Sequence, residues 1–377
     1  MGPETHNLVP GRAPRAALWR AGLLLLVVAA VAVGAGPVAA ASKHHHRPPP
    51  PAVVAGRPAP AGTISVSGVS CATALVCWSV GAGAAPGGAS SVGAISVSRD
   101  AGTTWSAQVA PAGVVSLAAI SCPTRLRCLA GGATATAGAV VSTKDGGKTW
   151  VLDHSPPGAL DVNGVQCTSG GGCLALFTDG TVYASASSND YGETWTVGGT
   201  LPATLLGAGG LSCQGTERCI VAGYTPTAPG QGTGALASTT DGGATWSSVT
   251  LPPGVGLLHG VACAKRTCLA VGTTVTNDID VVPGKGVILT SADDGLTWSA
   301  EPHSTAVGDA FAVSCTPALA CVIVGTVWIP VTPPTPVGGV ITSTDGGTTW
   351  RPATLRFVPE PMVAVDCPSA ATCVAAG

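Results

Sequence analysis

Cysteine thiols are the most regularly spaced reactive groups in this sequence, and at close spacing they form disulfides or bind zinc. The 14 cysteines fall into seven pairs, six with five intervening residues and one with four. The pairs are Cys71/Cys77, Cys122/Cys128, Cys167/Cys173, Cys213/Cys219, Cys263/Cys268, Cys315/Cys321 and Cys367/Cys373. Zinc ligation would need Cys-x2–4-Cys spacing or histidine partners. An even set with turn-like residues inside each pair therefore predicts seven local disulfides, one across each hairpin, in an exported protein.

The other residue types that carry chemistry do not form a catalytic set. Glycosidases need two facing carboxyl groups, and the loop residues Asp179, Asp278 and Asp280 offer no such pair. A calcium loop would supply more oxygen ligands than residues 277–280 contain. The sequence therefore predicts no catalytic residue, no metal ion and no cofactor.

An eight-residue phrase, Ser/Thr-x-Asp-x-Gly-x-Thr-Trp, occurs six times. Its Asp and Trp residues are Asp100/Trp105, Asp145/Trp150, Asp190/Trp195, Asp241/Trp246, Asp293/Trp298 and Asp345/Trp350. The Asp carboxylate can accept hydrogen bonds from backbone N–H groups further along a turn. The Gly supplies the positive φ of a short hairpin, and Thr-Trp begins a strand. We therefore interpret these aspartates as turn locks and these tryptophans as core residues.

The distances between these landmarks predict the repeating unit. Successive first cysteines are 45 to 52 residues apart, and each phrase Asp precedes the next first Cys by 22 or 23 residues. A period of this length is typical of propeller blades. Four strands fit each unit: A ends at the first Cys, B follows the second, C precedes the phrase and D begins at its Trp. The sequence thus predicts an all-β propeller of four-stranded antiparallel blades.

Strand order places the Cys turns and the phrases on one face, called here the disulfide face. The B–C turns and D–A connections then lie on the other face, called the loop face. The segment between a first Cys and its phrase varies from 23 to 30 residues, so the B–C loops absorb the insertions. These predicted loops are 81–93, 131–138, 178–180, 223–234, 272–286 and 325–339. Variable loops on a fixed scaffold favour a binding role for the loop face.

Two aromatic residues, Tyr224 and Trp328, fall within these predicted loops. Each can stack on a sugar ring or anchor a protein partner, or tuck against its own blade. They are the candidate ligand contacts of the loop face. Trp78, directly after Cys77, is predicted to lie in the core.

Seven Cys pairs but only six phrases are present, and the chain ends four residues after Cys373. We therefore expect about seven blades, the last of them incomplete, with a two-stranded final blade or a sequence that continues further. No C–D pair is recognisable before Cys71 to complete it.

The repeated phrase resembles the Asp-box, or BNR repeat, of sialidase-like β-propellers, and each copy is called an Asp-box below. In those families the boxes lie away from the active site, which implies a structural role for them here. Sialidases also carry an arginine triad, a Tyr–Glu pair and a Phe/Tyr-Arg-Ile-Pro motif, and this chain shows none of them. Propellers that help to assemble photosystem II share the same repeat. The resemblance to either family is confined to the repeat, so no ligand or activity follows from it.

The N-terminus predicts export. Residues 1–41 contain three arginines followed by an apolar run and Ala39-Ala40-Ala41, the pattern of a cleaved signal peptide. The apolar run also approaches the length of a membrane anchor. Residues 42–62, rich in His and Pro, are predicted to be a spacer, and residues 63–377 to be the propeller.

Composition limits the partners. Charged residues make up 10% of the chain, and its net charge is −2. Nucleic acid or an anionic membrane surface would need a basic face. We therefore expect a monomeric, secreted or N-terminally anchored module of the cell envelope or extracellular space, with membrane contact only through its N-terminus. It would bind a protein or glycan on the loop face without catalysis. A sialidase-like glycoside hydrolase with a divergent site is the alternative.

Overall fold

The computed structural model describes residues 49–56, 63–85, 87–88, 90–228, 231–274, 286–301, 307–329, 335–353 and 360–377. These residues form 27 strands in seven sheets. They contain no helix with the length and hydropathy of a membrane span. The predicted signal or anchor, residues 1–41, lies outside the described residues. The predicted seven-bladed, all-β architecture is confirmed.

The strands occur in chain order, and a first strand, β1 (Ala52–Gly56), precedes the blades. Blade 1 contains β2 (Thr63–Cys71), β3 (Cys77–Ala84), β4 (Ser91–Ser98) and β5 (Ser106–Gln108). Blade 2 contains β6 (Val114–Ser121), β7 (Cys128–Thr134), β8 (Gly138–Thr143) and β9 (Val151–Asp153). Blade 3 contains β10 (Asp161–Cys167), β11 (Cys173–Thr178), β12 (Tyr183–Ser188) and β13 (Thr196–Thr200).

Blade 4 contains β14 (Gly207–Gln214), β15 (Arg218–Ala228), β16 (Gln231–Thr239) and β17 (Ser247–Val249). Blade 5 contains β18 (Val255–Ala264), β19 (Thr267–Thr274), β20 (Gly286–Ser291) and β21 (Ser299–Ala300). Blade 6 contains β22 (Asp309–Cys315), β23 (Cys321–Ile329), β24 (Thr335–Ser343) and β25 (Arg351–Pro352). Blade 7 contains β26 (Ala364–Ser369) and β27 (Thr372–Ala376), joined by β1.

All seven predicted disulfides are present. Each joins strand A to strand B beside the turn between them, with Cα–Cα distances of 3.9 to 4.1 Å. Among the described residues no cysteine is free. The short spacing within each pair favours this local pairing, because each pair brackets a single tight turn.

The predicted start of strand B, at or just after the second Cys, is wrong in three blades. Cys219, Cys268 and Cys373 lie one residue inside β15, β19 and β27. The reason is that the ladder continues past these disulfides. It adds the pairs Gln214/Arg218, Ala264/Thr267 and Ser369/Thr372.

The predicted start of strand D, at the box Trp, is also wrong. Each strand D begins one residue later, as β13 does at Thr196 after Trp195 and β25 does at Arg351 after Trp350. The ladder to strand C starts with those residues, at Ser187/Thr196 and Thr342/Arg351. The Trp stays outside the ladder because the box Asp holds the Thr just before it within the turn.

The hydrophobic core lies between consecutive blades and not within one layer. For example, Val80 and Ile95 of blade 1 pack in one cluster with Leu117 and Val141 of blade 2. Similar clusters join blades 2 and 3, 3 and 4, 4 and 5, 5 and 6, and 6 and 7. Each blade therefore depends on its neighbours to bury its two faces.

The Asp-boxes contribute to this packing because each one sits on the preceding blade. A Cβ added to Gly192 of the blade 3 box would lie 2.9 Å from Leu129, the residue after the second Cys of blade 2. The box glycines of blades 1, 2, 4, 5 and 6 approach the equivalent residues, which are Val374, Trp78, Leu174, Ile220 and Leu269. Trp78 is fully buried at this position, as the sequence predicts.

A ring of hydrogen bonds also links the inner strands. The side chain before the first Cys of one blade accepts a bond from the N–H of the first Cys in the next blade. This contact occurs at six of the seven junctions. The acceptors are Ser70, Ser121, Gln166, Ser212, Ser314 and Asp366. At the remaining junction Ala262 has no side-chain acceptor. The bond from Cys71 N to Asp366 Oδ2, 2.7 Å long, joins blade 7 to blade 1 and closes the ring.

The seventh blade is incomplete, as predicted, but it has three strands and not two. Residues 52–56, which the sequence analysis placed in the spacer, form β1 and pair in parallel with β27 from Ala52/Thr372 to Gly56/Ala376. Val53 and Ala55 pack against the core of blades 6 and 7. This strand is not recognisable in the sequence, because a five-residue apolar segment without an Asp-box carries no repeat signature.

The observed B–C loops are shorter than the predicted ones, because the inserted residues lengthen the strands. In blade 4, β15 and β16 pair through Tyr224/Gly234 to Ala228/Gln231. In blade 6, β23 and β24 pair as far as Ile329/Thr335. An insertion at a hairpin end can continue the backbone ladder, which satisfies its N–H and C=O groups. Residues 275–285, which include Asp278 and Asp280, lie outside the described part.

In six of the seven blades one glycine lets strands A and B approach closely. Four residues after the second Cys stand Gly81, Gly132, Gly223, Gly272, Gly325 and Gly377, with Phe177 at the equivalent position of blade 3. A Cβ at any of these glycines would overlap a backbone carbonyl oxygen, such as that of Leu257 beside Gly272. At these six positions the approach of strand A leaves no room for a side chain.

Gly272→Ala is expected to destabilise the propeller by about 1 to 3 kcal/mol, because the methyl group would force β18 and β19 apart. The measurement is the midpoint of urea unfolding. Gly170→Ala is the matched control, since its nearest neighbour, Thr168 Oγ1, would be 3.9 Å away. Equal midpoints for the two variants would contradict this account of the glycines.

Candidate functional site: the central channel

The carboxylates of the Asp-boxes are occupied in holding their own turns. Asp145 Oδ1 accepts bonds from Thr149 N at 3.0 Å and Thr143 Oγ1 at 2.8 Å, and Oδ2 accepts one from Thr149 Oγ1 at 2.7 Å. These bonds, led by those from Thr149, lower the pKa of Asp145 to about 2. Asp190, Asp241 and Asp293 have similar contacts and pKa values of about 2. A carboxylate held in its ionised form is unsuited to act as a general acid.

The tryptophans of the boxes are buried or half-buried. Trp150 and Trp298 are each 9% exposed, and the other four are half-buried. The indole N–H groups of Trp105 and Trp298 donate to carbonyl groups of their own boxes. Those of Trp150 and Trp246 donate to side chains of the preceding blade, Gln108 and Ser185. These contacts leave little aromatic surface for a ligand.

Trp195 and Trp350 differ from the other box tryptophans in the contacts of their indole N–H groups. Both are only half-buried, and they pack against the edges of the clusters between blades 2 and 3 and between blades 5 and 6. Their indole N–H groups are shielded from solvent and donate no hydrogen bond to the described residues.

Each box is hydrogen-bonded to the Cys turn of its own blade. The N–H of the residue after the box Asp donates to a carbonyl within the Cys turn in all six copies. The donors are Ala101, Gly146, Tyr191, Gly242, Asp294 and Gly346. All six have positive φ. The boxes and the Cys turns therefore lie on the same face.

The two aromatic candidates of the loop face lie in strands. Tyr224 in β15 is opposite Gly207, where an added Cβ would collide with the phenol ring, so the ring packs over the start of β14. Trp328 lies in β23, and its backbone pairs with Pro336. These residues belong to blades 4 and 6, and nothing in the described contacts brings them together. Tyr224 thus packs on its own blade.

The central channel is lined by the innermost strand of every blade. Its cavity of about 270 Å³ is bordered by residues two, three and four positions before each first Cys. In blades 1 to 6, strand A has a β-bulge at the residue four positions before the first Cys, and this residue is not paired with strand B. A bulge re-aims its side chain. The residues at this position, called here the channel ring, are Ser67, Ala118, Asn163, Gly209, His259, Phe311 and Val363.

Small residues follow the channel ring and let the inner strands pack closely. They are Gly68, Ala119, Gly164, Gly210, Gly260, Ala312 and Ala364. A Cβ at Gly210 would lie 2.8 Å from Val261 N. The scaffold thus fixes this position, whereas the channel ring itself varies from Gly to Phe.

On blade 3, the channel ring residue Asn163 pairs with a carboxylate. Asn163 Nδ2 donates to Asp161 Oδ2 at 3.0 Å. Asp161 Oδ1 and Asn163 Oδ1 are shielded from solvent and accept no hydrogen bond from the described residues. Burial raises the pKa of Asp161 above its usual value. Burial raises the pKa of the neighbouring Tyr183, and the negative charge of Asp161 raises it further.

On blades 5 and 6, two rings line the channel side by side. The centroids of His259 and Phe311 are 5.5 Å apart, with their planes tilted by 58°. Burial lowers the pKa of His259, although the nearby Asp309 opposes this shift. Burial thus favours the neutral form of the His259 imidazole. Asp309 accepts a hydrogen bond from Thr326 Oγ1 at 3.2 Å.

Among the described residues, charge is distributed unequally between the two faces. All nine described lysines and arginines lie in or beside Cys turns and Asp-boxes: Arg99, Arg125, Arg127, Lys144, Lys148, Arg218, Lys265, Arg266 and Arg351. Several are paired there, such as Lys144 with Glu193 at 2.7 Å. At the loop-face ends of the strands, in B–C turns and in D–A connections the described residues include six carboxylates and no lysine or arginine. They are Asp153, Asp161, Asp179, Glu301, Asp309 and Glu360.

The described arginines therefore cannot converge on the channel from the loop face, as a sialidase-type carboxylate clamp would require. Among the described residues no group of three or more His, Cys, Asp and Glu side chains is placed to hold a metal ion.

The channel ring was missed in the sequence analysis, although a signal for it exists. Counting four residues back from each first Cys collects all seven members from the sequence alone. What the sequence lacks is the bulge, which leaves this residue unpaired with strand B at the wall of the channel. Asp161 and Asp309, both six residues before a first Cys, were overlooked for the same reason.

The fold is similar to those of known propellers. No protein-family model matches the sequence, and no curated protein is similar to it. YCF48 bound to D1 peptide is similar over 82% of this chain and 89% of that chain, with TM-score 0.55 and 16% identity. YCF48 from Cyanidioschyzon merolae is similar over 81% of this chain and 91% of that chain, with TM-score 0.52 and 13% identity. The GH74 xyloglucanase from Xanthomonas campestris is similar over 78% of this chain but 46% of its own, with TM-score 0.52 and 16% identity. At these identities the likeness concerns the fold.

Proposed function

We propose that this chain is an exported, non-catalytic β-propeller that binds a protein ligand at the loop-face end of its central channel. The observation that carries the proposal is the composition of the channel ring. Four blades place Ser, Ala, Gly or Val at this position, which indicates what the scaffold needs. Blades 3, 5 and 6 place Asn163, His259 and Phe311 there instead. Larger and more polar side chains than the fold requires, in one cavity, are characteristic of a binding site.

Export is supported by the seven disulfides, which persist in oxidising compartments, and by the signal-like residues 1–41. We propose that residues 1–41 direct the chain across a membrane, as a cleaved signal or an anchor, and that the propeller acts as a monomer. Protein binding is supported by the likeness to YCF48, a propeller that has been seen with a bound peptide.

One observation favours a second function, hydrolysis of glycosides. Burial raises the pKa of Asp161, as a glycosidase acid requires, and a xyloglucanase shares the fold. A panel of fluorogenic glycosides separates the two functions. Turnover by the wild-type protein that disappears in Asp161→Asn or Asp309→Asn would replace the binding proposal by the hydrolytic one.

The proposed function is tested by capturing partners from the envelope and secreted fractions of the source cells. The wild-type propeller is expected to retain one stoichiometric partner, identified by mass spectrometry and confirmed with the purified protein. The triple variant Asn163→Ala, His259→Ala, Phe311→Ala should lose this partner by at least about tenfold in affinity, because truncated anchor residues carry most binding energy.

The matched control alters the disulfide face. Lys144→Ala with Glu193→Ala removes an exposed ion pair and is expected to leave partner binding unchanged. A partner lost in this control and retained in the triple variant would place the interface on the disulfide face and contradict the proposal. Equal unfolding midpoints of the two variants and the wild type establish that folding is not the cause.

A further inference from the structure

We infer that the loop-face mouth of the channel receives a single cationic side chain, lysine or arginine, from the protein partner. This inference depends on the proposed binding function and adds the chemistry of the bound group. It is carried by the size of the channel, the polar groups at its mouth and the difference in charge between the two faces.

The cavity limits the occupant to something narrow. Its volume of about 270 Å³ lies just below the roughly 300 to 1,000 Å³ of typical small-molecule pockets. A single extended side chain fits such a space, whereas a folded helix does not. The wall supplies apolar contacts for the stem of such a side chain through Val69, Ile120 and Phe311.

The mouth offers acceptors and, among the described residues, no competing lysine or arginine. Asp161 and Asp309 begin the inner strands of blades 3 and 6. Asp161 Oδ1 and Asn163 Oδ1 accept no hydrogen bond from the described residues, so both oxygens can accept one from a bound donor, while Asp161 Oδ2 already accepts one from Asn163 Nδ2. In a site walled by protein, the remaining negative charge acts more strongly than it would in water. His259 does not oppose it, because burial lowers the pKa of its ring and favours its neutral form.

The aromatic pair favours the same occupant. Phe311 and His259 present ring surfaces within one channel, 5.5 Å apart. A cation that approaches the face of an aromatic ring is attracted by the ring quadrupole. An anionic ligand would meet the carboxylates of Asp161 and Asp309 at the mouth, where the described residues include no lysine or arginine.

The test uses the full chain and four synthetic peptides, acetyl-Gly-Ser-X-Ser-Gly-amide, with X as lysine, arginine, Nε-acetyl-lysine or glutamate. Binding is followed by ligand-observed NMR titration. The lysine and arginine peptides are expected to bind saturably and to weaken as salt is added. The acetyl-lysine and glutamate peptides are expected not to bind. Equal binding of the acetyl-lysine peptide would overturn the inference, since it keeps the shape and loses the charge.

Variants locate the cation. Asp161→Asn and Asp309→Asn should each weaken the lysine peptide by about tenfold, the usual loss for one partner of a charged hydrogen bond. Asp153→Asn removes the same charge from the outer end of β9 on the same face and should leave affinity within about twofold. If Asp153→Asn weakens binding as much as the other two, the attraction is general to the face and the inference is wrong.

A gain-of-function variant tests the inference independently of folding, because misfolding of the channel mouth could weaken binding but not strengthen it. Ser67 belongs to the channel ring and is exposed, so Ser67→Asp adds a carboxylate without burying it. This variant should bind the lysine peptide more tightly than the wild type. Should the captured partner require Asn163, His259 and Phe311 while the lysine peptide fails to bind, the binding function stands and the cationic group is refuted. A partner that ignores the triple variant refutes both.

Discussion

Reduction of the seven disulfides is expected to move urea unfolding of the propeller to a much lower denaturant concentration. Each bridge joins the innermost strand of a blade to the next strand, between cysteines five or six positions apart in sequence. Chain-entropy arguments assign about 2 kcal/mol to a loop of this length. Seven such contributions, even when only partly additive, are comparable with the roughly 5 to 15 kcal/mol that typically stabilises a folded domain.

The measurement is a pair of urea titrations, one with and one without a thiol-free reductant. Cys167→Ser with Cys173→Ser removes only the blade 3 bridge and is expected to lower stability by about 2 kcal/mol. Unchanged unfolding after full reduction would show that blade packing alone holds the ring. Peptides linked between different repeats, found by mass spectrometry without reduction, would contradict the local pairing itself.

The propeller is expected to lose stability as pH rises from about 4 to about 7, because of Asp366. This residue is surrounded by protein, although part of its surface remains accessible. Burial raises its pKa to about 6, against hydrogen bonds from Cys71 and Cys367 N–H groups and from Ser314 that lower it. The folded state therefore holds a proton that the unfolded chain, with the usual pKa of 3.8, has already released.

The stability contributed by this proton is fully present below pH 3.8 and disappears as pH rises through about 6. A pKa that is about two units higher in the folded state than in the unfolded state contributes at most about 3 kcal/mol to the free energy of unfolding. The partial exposure of Asp366 reduces this figure. Asp366→Asn keeps an acceptor for Cys71 N–H without a charge, so its stability should lack this decline and exceed that of the wild type above about pH 7.

Asp366→Ala is the informative comparison. It removes the acceptor and leaves Cys71 N–H without a partner at the junction of blades 7 and 1, at an expected loss of about 1 to 3 kcal/mol relative to Asp366→Asn at every pH. Ser121→Ala removes the equivalent acceptor between blades 2 and 3. Its stability should lie below that of the wild type by the same amount at every pH. If Asp366→Asn follows the wild-type pH profile, the titrating group lies elsewhere.

The internal repeat explains why the fold was predictable. Six copies of one phrase and seven Cys pairs indicate the number and length of the blades, because a blade cannot bury its faces alone and must be copied. The spacing of Cys71 and Cys77 also predicts a local bridge, since five residues between two cysteines permit one tight turn. Tertiary contacts are not needed for these conclusions.

Exact strand limits were less predictable than the repeat. The ladder runs past the disulfide at Cys219 and Cys268, and it begins only after the box Trp at Trp195 and Trp350. Cysteines and tryptophans mark the turns in the sequence, but the register of backbone pairing decides where a strand starts. That register depends on the conformation of the whole turn and not on any one residue type.

Closure of the ring was not predictable either. Residues 52–56 pair in parallel with residues 372–376, about 320 positions away in sequence, and no local pattern encodes such a partner. Asp366 likewise appears in the sequence as one more polar residue before a cysteine. Only its position opposite Cys71 N makes it the acceptor that joins the last blade to the first.

The sequence by itself determined the repeat, its disulfides and the turn-locking role expected of residues such as Asp145, because hydrophobic alternation, turn chemistry and short loops act between near neighbours. The tertiary structure decided which side chains meet. A bulge turns Asn163, His259 and Phe311 into one channel, while Tyr224, chosen from its place in a loop, packs on its own blade. Side chains separated by about 50 residues in sequence become neighbours only when the ring of blades closes, and that geometry is absent from any single repeat.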